Sequence, residues 1–377
     1  MRISTNMIYQ LSNNDLTSMQ GGILKLNQQI NAGQTVLLPS DDPIAAARAL
    51  DLAQTQALNT QFATNRNNAN SSLATVSNAL SSVTDMMSKL KSDIIAAGNA
   101  SFSNAERANM ASELKGNLNE MLGFANSTDG LGNYVFGGYK SGAAPFSFDD
   151  SGNIVYNGDQ GAQTLQVGAT RQMEISVSGQ SVFQGNGVDT FKMMQNMITL
   201  LSVPTTEAAN NADTTAANTF EYPPSSGQFP IQAYKTAQAA LDAAKPTDPN
   251  YATLLTQAAN AKLLSDKADA ARTPIAGSQA ALTRTLNSFQ ASITSQMSNI
   301  EAATASVGAR QNELDNLDAQ GKVLDQQYTQ TTNDLLGRNL SDTTELVSQL
   351  ALQQQYLQAA QKVFVSTTSL TLLNYLK

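Results

Sequence analysis

The chain has 377 residues, a formal net charge of −8, and no cysteine, histidine or tryptophan. This composition excludes thiol chemistry, disulfides and soft-metal sites, and it lacks the side chain most often used for proton transfer near pH 7. The acidic balance, without a Lys or Arg cluster, argues against a nucleic-acid surface. No apolar run approaches the roughly 18 residues that a membrane helix needs. The N-terminus also lacks the apolar segment of a cleavable signal peptide, so we expect any export to use another route.

The first predicted element is an amphipathic helix from about Ser4 to Ile30. Apolar residues recur along it at three- and four-residue steps, which places them on one helix face. Such a face needs a covering partner, because this segment has no core of its own to offset the entropy of ordering it. The residues that we expect to form this half of an assembly seam are Tyr9, Leu16, Ile23, Leu26 and Ile30.

A turn signature follows this helix. Gly33 suits the left-handed conformation of a helix end, and Asp42 before Pro43 is a favourable N-cap for a second helix. Asp41 and Asp42 also suit the positive end of that helix. The pattern predicts a capped hinge, whose signature residues are Gly33, Pro39, Ser40, Asp41, Asp42 and Pro43.

Proline placement indicates where long helices can run, because proline breaks helix interiors. Residues 44–144 and 275–377 contain no proline. The first stretch carries an apolar stripe over residues 58–90, followed by a second helix with Leu114 and Leu118 on one face.

The C-terminal stretch carries a heptad seam from Leu282 to Leu335, which would make a rod of roughly 80 Å. So long a stripe needs a partner helix along its whole length. We therefore expect four of its residues to be buried against the 58–90 helix, namely Phe289, Ile293, Leu314 and Leu317.

Between these helices, residues 134–187 are rich in glycine, aromatic and alternating apolar residues. This pattern predicts a small β region, with hairpin turns at Asp149–Asn153 and at Asn157–Gly158. Residues 204–231, rich in Pro, Thr, Asn and Ser, predict a surface loop or short linker. Residues 232–270 are Ala-rich and predict helix, with a break near Pro246.

The last predicted helix runs from Thr344 to Leu376. Its apolar stripe would be exposed before assembly, and a bare apolar helix is an aggregation hazard. The second half of the assembly seam is assigned to Leu346, Leu350, Leu357, Phe364 and Leu373.

The predicted fold class is mainly α: a long coiled-coil helical rod formed by the N- and C-terminal regions, with an inserted small β-rich domain. The two ends form the halves of a terminal coiled-coil domain, and the body lies inside them. The six predicted segments are 1–40, 41–133, 134–187, 188–275, 276–337 and 338–377.

Candidate chemistry is sparse. Residues 132–141 partly match a phosphate loop, but the lysine does not follow the second glycine directly and no helix opens after it. Asp149–Asn153 resembles part of a calcium loop without its closing acidic residue, so a β-turn is favoured. Asp149 and Asp150 make a weak acid/base pair, because adjacent strand residues point to opposite faces. We therefore predict no catalytic, cofactor-binding or metal-binding residues and no enzymatic activity.

The segment from Ile30 to Leu50, centred on Leu38-Pro39-Ser40-Asp41-Asp42-Pro43, resembles the N-terminal signature of the flagellin superfamily. Three further segments are similar to the hook–filament junction proteins of that superfamily (the third hook-associated proteins): 129–138, 307–314 and 370–377. The stretch 339–342 departs from the Asp-rich turn expected of the family, and roughly residues 190–275 are unmatched.

The resemblance implies a structural adaptor at the hook–filament junction of the bacterial flagellum. Such a protein is exported unfolded through the flagellar type III apparatus and works outside the cell. The implied partners are other copies of itself in a ring-like oligomer, the first hook-associated protein, flagellin, and an export chaperone at the C-terminal helix. No nucleic acid, membrane insertion or cofactor is implied. Two alternatives stay open: a filament-forming flagellin, and an enzyme housed in the central insertion.

Overall fold

The computed structural model describes residues 5–99, 101–130 and 132–375. Within them the helices are α1 (Thr5–Ala32), α2 (Pro43–Ala97), α3 (Asn104–Ala125), α4 (Gly179–Phe183), α5 (Thr190–Ser202), α6 (Glu207–Asn218), α7 (Pro230–Ala243), α8 (Tyr251–Ala271), α9 (Gln279–Leu336) and α10 (Leu340–Tyr375). The strands are β1 (Phe146–Phe148), β2 (Ile154–Tyr156), β3 (Thr164–Gln166) and β4 (Gln172–Glu174). The prediction of a mainly α chain with a small strand region is confirmed.

The chain divides into two compact units, and the long helices α2 and α9 each contribute residues to both. The first unit contains residues 1–67, 166–171 and 314–377, and the second contains residues 68–165 and 172–313. The division into six segments stays a prediction.

Helix α2 owes its length to the absence of proline and to a continuous apolar stripe. Six residues at three- and four-residue steps are fully buried on one face, which places them in the core of the second unit: Leu73, Val76, Leu80, Val83, Met87 and Leu90. Each such side chain contributes about 1.5–3 kcal/mol on burial.

Aromatic rings form a second part of this core. The rings of Phe146, Phe183 and Phe191 lie with their centroids 4.9–5.6 Å apart, and Phe136 packs edge-on against Phe183. All four phenylalanines are fully buried. The cluster joins β1, through Phe146, to α4 and α5.

The strands form two separate two-stranded sheets, β1–β2 and β3–β4. Asp149–Asn153 closes the antiparallel β1–β2 hairpin, as predicted. The predicted hairpin turn at Asn157–Gly158 is wrong, because the strands on either side of it belong to different sheets. A second turn at 168–171, closed by the N–H of Val167 donating to the carbonyl of Arg171, was not predicted.

The prediction of a loop at 204–231 is wrong over α6. The Thr206 side chain accepts a hydrogen bond from the N–H of Ala209 and caps this helix. Asp213 on α6 forms a buried, bidentate ion pair with Arg272, with N–O distances of 2.8 and 3.0 Å. Burial would raise the pKa of Asp213, but the hydrogen bonds from Arg272 and Ile275 hold it below its ordinary value. This ion pair ties α6 to the residues that follow α8.

The predicted seam of α9 is buried at two of its four named positions. Ile293 and Leu314 are buried, whereas Phe289 and Leu317 are only half-buried, so full burial was wrong for these two. Leu317 lines an open cleft that it shares with Leu58 of α2. A side chain beside an open cleft has fewer neighbours on that side, which explains its exposure.

These positions give a graded stability test. Replacing Leu314 with Ala should lower the free energy of unfolding by about 2–5 kcal/mol, because it leaves a cavity at a buried site. Leu317→Ala should cost less, since its site already opens to a cleft. Thermal or urea unfolding measures the stability of both variants, and Leu314→Ala should lose more stability than Leu317→Ala.

Asn316→Ala is the matched control, since Asn316 is exposed on the same helix. A surface substitution of this kind should change stability by no more than about 0.5 kcal/mol. Equal losses at all three positions would contradict the register of α9.

Candidate assembly surface

The two ends of the chain pack against each other as α1 and α10. Near one end of the pair, the rings of Tyr9 and Phe364 meet edge to face, with their centroids 5.0 Å apart. Farther along, the helices approach closely at Gly22, where an added Cβ would collide with the Gln353 side chain. The structure thus brings together the two predicted halves of the assembly seam.

The pair does not cover its own seam. Leu26 and Leu346 are buried, at 8% and 4% exposure, but Tyr9 keeps 47% of its surface exposed. The other described seam residues are half-buried: Leu16, Ile23, Ile30, Leu350, Leu357 and Phe364. The side chain of Leu373 lies outside the described residues. Two helices alone therefore leave most of this apolar stripe in contact with solvent.

Exposed apolar residues also lie outside the predicted seam, and the apolar periodicity of the sequence did not identify them. On α1, Leu11 and Leu24 are 53% and 64% exposed, and on α10, Leu352 and Tyr356 are 47% and 60% exposed. For α10, the charge pattern of the sequence could have indicated an apolar surface wider than the seam. The stretch of α10 from 346 to 361 contains no Asp, Glu, Lys or Arg, although a solvated helix face normally carries charge.

The hinge begins where α1 ends. Gly33 has a φ of 66°, the left-handed region that residues with a Cβ avoid, and its N–H donates to the carbonyl of Ile30 at 3.1 Å. The N–H of Gln34 donates to the carbonyl of Gln29. These bonds satisfy carbonyls at the end of α1 and turn the chain sharply.

The end of α9 meets the same turn. The carbonyl of Leu336 accepts hydrogen bonds from the N–H of Thr35 at 3.0 Å, the N–H of Val36 at 3.3 Å, and the Thr35 hydroxyl at 3.2 Å. Gly337, the next residue, has a φ of 60°, and an added Cβ there would collide with the Thr35 side chain. The hinge loop is therefore hydrogen-bonded to the end of α9, between residues that lie 301 positions apart in sequence.

Asp41 organises the rest of the hinge loop. One carboxylate oxygen accepts from the Lys25 ammonium at 2.7 Å, and the other accepts from the N–H groups of Leu37 and Leu38 at 3.1 Å each. The hydrogen bond from Lys25, followed by that from Leu38, lowers the pKa of Asp41 below its ordinary value. The loop is thus tied to α1 at a charged pair.

Asp42 starts the next helix. Its carboxylate accepts from the N–H groups of Ile44 at 3.0 Å and Ala45 at 2.9 Å, with Pro43 as the first residue of α2. This is the N-cap arrangement that the Asp-Pro pair favours. Pro39 and Ser40 are exposed at the tip of the loop.

The residues considered for chemistry have structural roles. A carboxylate oxygen of Asp149 accepts from the N–H groups of Ser151 and Asn153, which builds the β1–β2 turn. The hydrogen bond from Asn153 is the largest cause that lowers the pKa of Asp149. In the 132–141 segment, the N–H of Tyr139 donates to the Asp159 carboxylate, which places a negative group where a phosphate loop would hold its ligand. Both segments are turns of the strand region.

In the described part of the chain, no three or more Asp or Glu residues gather in a group that could hold a metal ion. Across the same residues, none of the helices has both the length and the apolar character that crossing a membrane requires.

The hinge glycines allow a paired prediction. Gly337→Ala and Gly33→Ala each place a Cβ in a left-handed conformation, at a cost of about 1–2 kcal/mol. Only Gly337→Ala adds a collision, since a Cβ at Gly33 would meet nothing within 4 Å. In the assembled protein, amide exchange at Thr35 and Val36 should therefore quicken more in Gly337→Ala. Equal or greater quickening in Gly33→Ala would contradict the contact with Leu336.

Comparison with known proteins shows which proteins this chain is similar to. Residues 3–141 match the bacterial flagellin N-terminal helical region. The chain is 31% identical over 374 residues to flagellar hook-associated protein 3 of Escherichia coli K12, covering 99% of this chain and 98% of that protein. It is 40% identical over 183 residues to flagellar hook-associated protein 3 of Salmonella typhimurium, covering 48% of this chain but only 57% of that protein.

The flagellar junction protein FlgL of Legionella pneumophila is a structural neighbour. Its crystal structure aligns with a TM-score of 0.50 at 17% identity, over 77% of this chain and 100% of that one. At this identity the likeness shows a shared fold. The near full-length match to the E. coli protein shows more: this chain belongs to the flagellar hook-associated protein 3 family of the flagellin superfamily.

Proposed function

We propose that this protein is a structural component of the bacterial flagellum, and that it serves as the adaptor that joins the hook side of the junction to the flagellin filament. One structural observation carries the proposal. The α1–α10 pair presents an apolar seam that two helices leave half-covered, so the pair has a stable environment only when neighbouring subunits surround it. Family membership identifies those neighbours as flagellar proteins.

The proposed partners follow from this incomplete burial. Copies of the same chain would cover the flanks of the pair in a ring-like oligomer. The first hook-associated protein would contact one side of the ring, and flagellin would add on the other. Before assembly, an export chaperone would cover α10, where Leu357 and Phe364 offer anchors seven residues apart on one face. The destination is the flagellum, outside the cell.

No catalytic role is part of the proposal. Of the weak acid/base pair Asp149 and Asp150, Asp149 accepts hydrogen bonds from the backbone of its own turn. A structural adaptor needs packing surfaces and a hinge. The described residues that we assign to assembly form the apolar stripe of α1 and α10 and the hinge loop.

The location of the protein tests the proposal directly. In a flagellated host, immunogold labelling of the full-length protein should mark the tip of the hook and leave the filament unlabelled. Cells that lack the gene should carry hooks without filaments. Labelling along the filament would instead support the alternative, a filament-forming flagellin.

The seam gives a mutational test. Replacing both Leu357 and Phe364 with Asp places two charges on the half-buried stripe of α10, where they would lose hydration on assembly. We expect loss of incorporation into the flagellum and loss of motility. Incorporation is measured by immunoblotting of sheared and purified flagella.

The matched control places the same two charges on a face of α10 about 100–120° away from Leu357, as Ala351→Asp with Gln358→Asp. Both residues are exposed. This control should incorporate as well as the parent protein. If both double variants incorporate equally, the seam has no role in assembly.

A further inference from the structure

Within the second unit, α9 carries a row of apolar residues that repeats every seven positions. The four members of this heptad row are fully buried: Leu286, Ile293, Ile300 and Val307. Sliding the helix by one repeat, about 10 Å, would place each member of the row on the site of the next. The heptad row therefore does not by itself specify the register in which α9 packs.

Gln296 is the one buried polar side chain in the described length of α9. It lies between Ile293 and Ile300, and its amide nitrogen donates to the carbonyl of Val182 at the end of α4. Its Oε1 has no hydrogen-bond partner among the described residues. Burying an unpaired polar atom costs free energy. A gain in stability therefore does not explain a glutamine at this position.

Asn299 extends the same contact. Its amide donates to the carbonyl of Ser181 at 2.7 Å and to that of Val182 at 3.0 Å. Gly185 packs so closely on Asn299 that an added Cβ would collide with the amide group. The last carbonyls of a helix have no partner within that helix. The two amides of α9 supply partners for these carbonyls of α4.

A slip of α9 by one repeat would break this contact in either direction. It would bring Phe289 or Ala303 to the place of Gln296. Neither phenylalanine nor alanine has a side-chain donor, so the buried carbonyl of Val182 would lose the hydrogen bond that Gln296 now provides. The contact with α4 thus distinguishes registers that the heptad row leaves equivalent.

We infer that Gln296, supported by Asn299, selects one register of α9 from those that the heptad row allows. A polar residue at one position of an apolar seam fixes register at a cost in stability. The ion pair of Arg310 with Glu174 discriminates less, because both side chains keep contact with solvent. A symmetric assembly needs the same surface on every copy, so the proposed function requires a single register.

The register can be measured in the purified full-length chain, which has no native cysteine to compete for labelling. Spin labels are attached at Ser81→Cys of α2 and Ser288→Cys of α9, both exposed positions. An added Cβ at Gly98, just past α2, would touch Leu286, so the labels lie about 25 Å apart along the helices. Pulsed electron paramagnetic resonance should give one narrow distance for this labelled parent.

Gln296→Met removes the amide and keeps the length of the side chain. A second distance, displaced by about 10 Å, should appear in the labelled protein. The midpoint of urea unfolding should stay at the parent's value or rise, because methionine buries no unpaired oxygen. Gln311→Met, at a half-buried position of the same helix, is the matched control and should keep the single distance. A lowered midpoint with a single distance would reveal an ordinary stabilising hydrogen bond and overturn the inference.

Moving the polar pair by seven residues tests the selection of register directly. The variant Gln296→Met/Asn299→Ser/Ala303→Gln/Ser306→Asn carries the same pair one repeat farther along α9. The displaced distance should become the major population, since only the slipped helix brings the new amides to Val182. A single parent-like distance in this variant would overturn the inference.

These readouts come from the free protein, so they separate the inference from the proposed function. A failure in the register measurements would leave the adaptor function standing. Absence of the parent protein from hook tips would overturn the adaptor function and leave the register assignment standing.

Discussion

The structure depends on one constraint: the two ends of the chain must meet. The carbonyl of Leu336 takes three hydrogen bonds from Thr35 and Val36, and this contact joins the end of α9 to the start of the hinge loop. From it, α1 and α10 leave as a pair and α2 begins at its own cap. Because the partners lie 301 residues apart in sequence, closing this contact carries a loop-closure entropy that interactions elsewhere in the chain must offset.

Even when complete, the terminal pair is underburied. Its seam is half-exposed, its flanks carry additional leucine and tyrosine, and its helices have few charges. By contrast, the second unit buries a continuous α2 stripe and a cluster of phenylalanines. The two units therefore differ in what they need. The second reaches a buried core within the chain, whereas the terminal pair leaves much of its apolar surface exposed, which is the condition that the proposed assembly would relieve.

Local residue preferences made part of the fold predictable from the sequence. Gly33 and the Asp42-Pro43 pair each specify a helix end through their own backbone preferences, and the period of the apolar residues specified the long helices. The partner of Thr35 was not predictable, because nothing near residue 35 refers to residue 336. Helix α6 was missed because its Asn, Ala and Thr residues lack an apolar stripe, and a distant arginine, Arg272, anchors it. The turn at Asn157–Gly158 was misassigned because its sequence signal is local while strand pairing is not.

The central claim is that α1 and α10 become stable helices only when other subunits cover them. Amide hydrogen exchange on the free monomer and on assembled flagella measures this directly. We expect near-zero protection of residues 5–40 and 338–375 in the monomer, strong protection of the 68–90 stretch of α2, and protection of both in the assembly. Equal protection of the terminal and central helices in the free monomer would contradict the account.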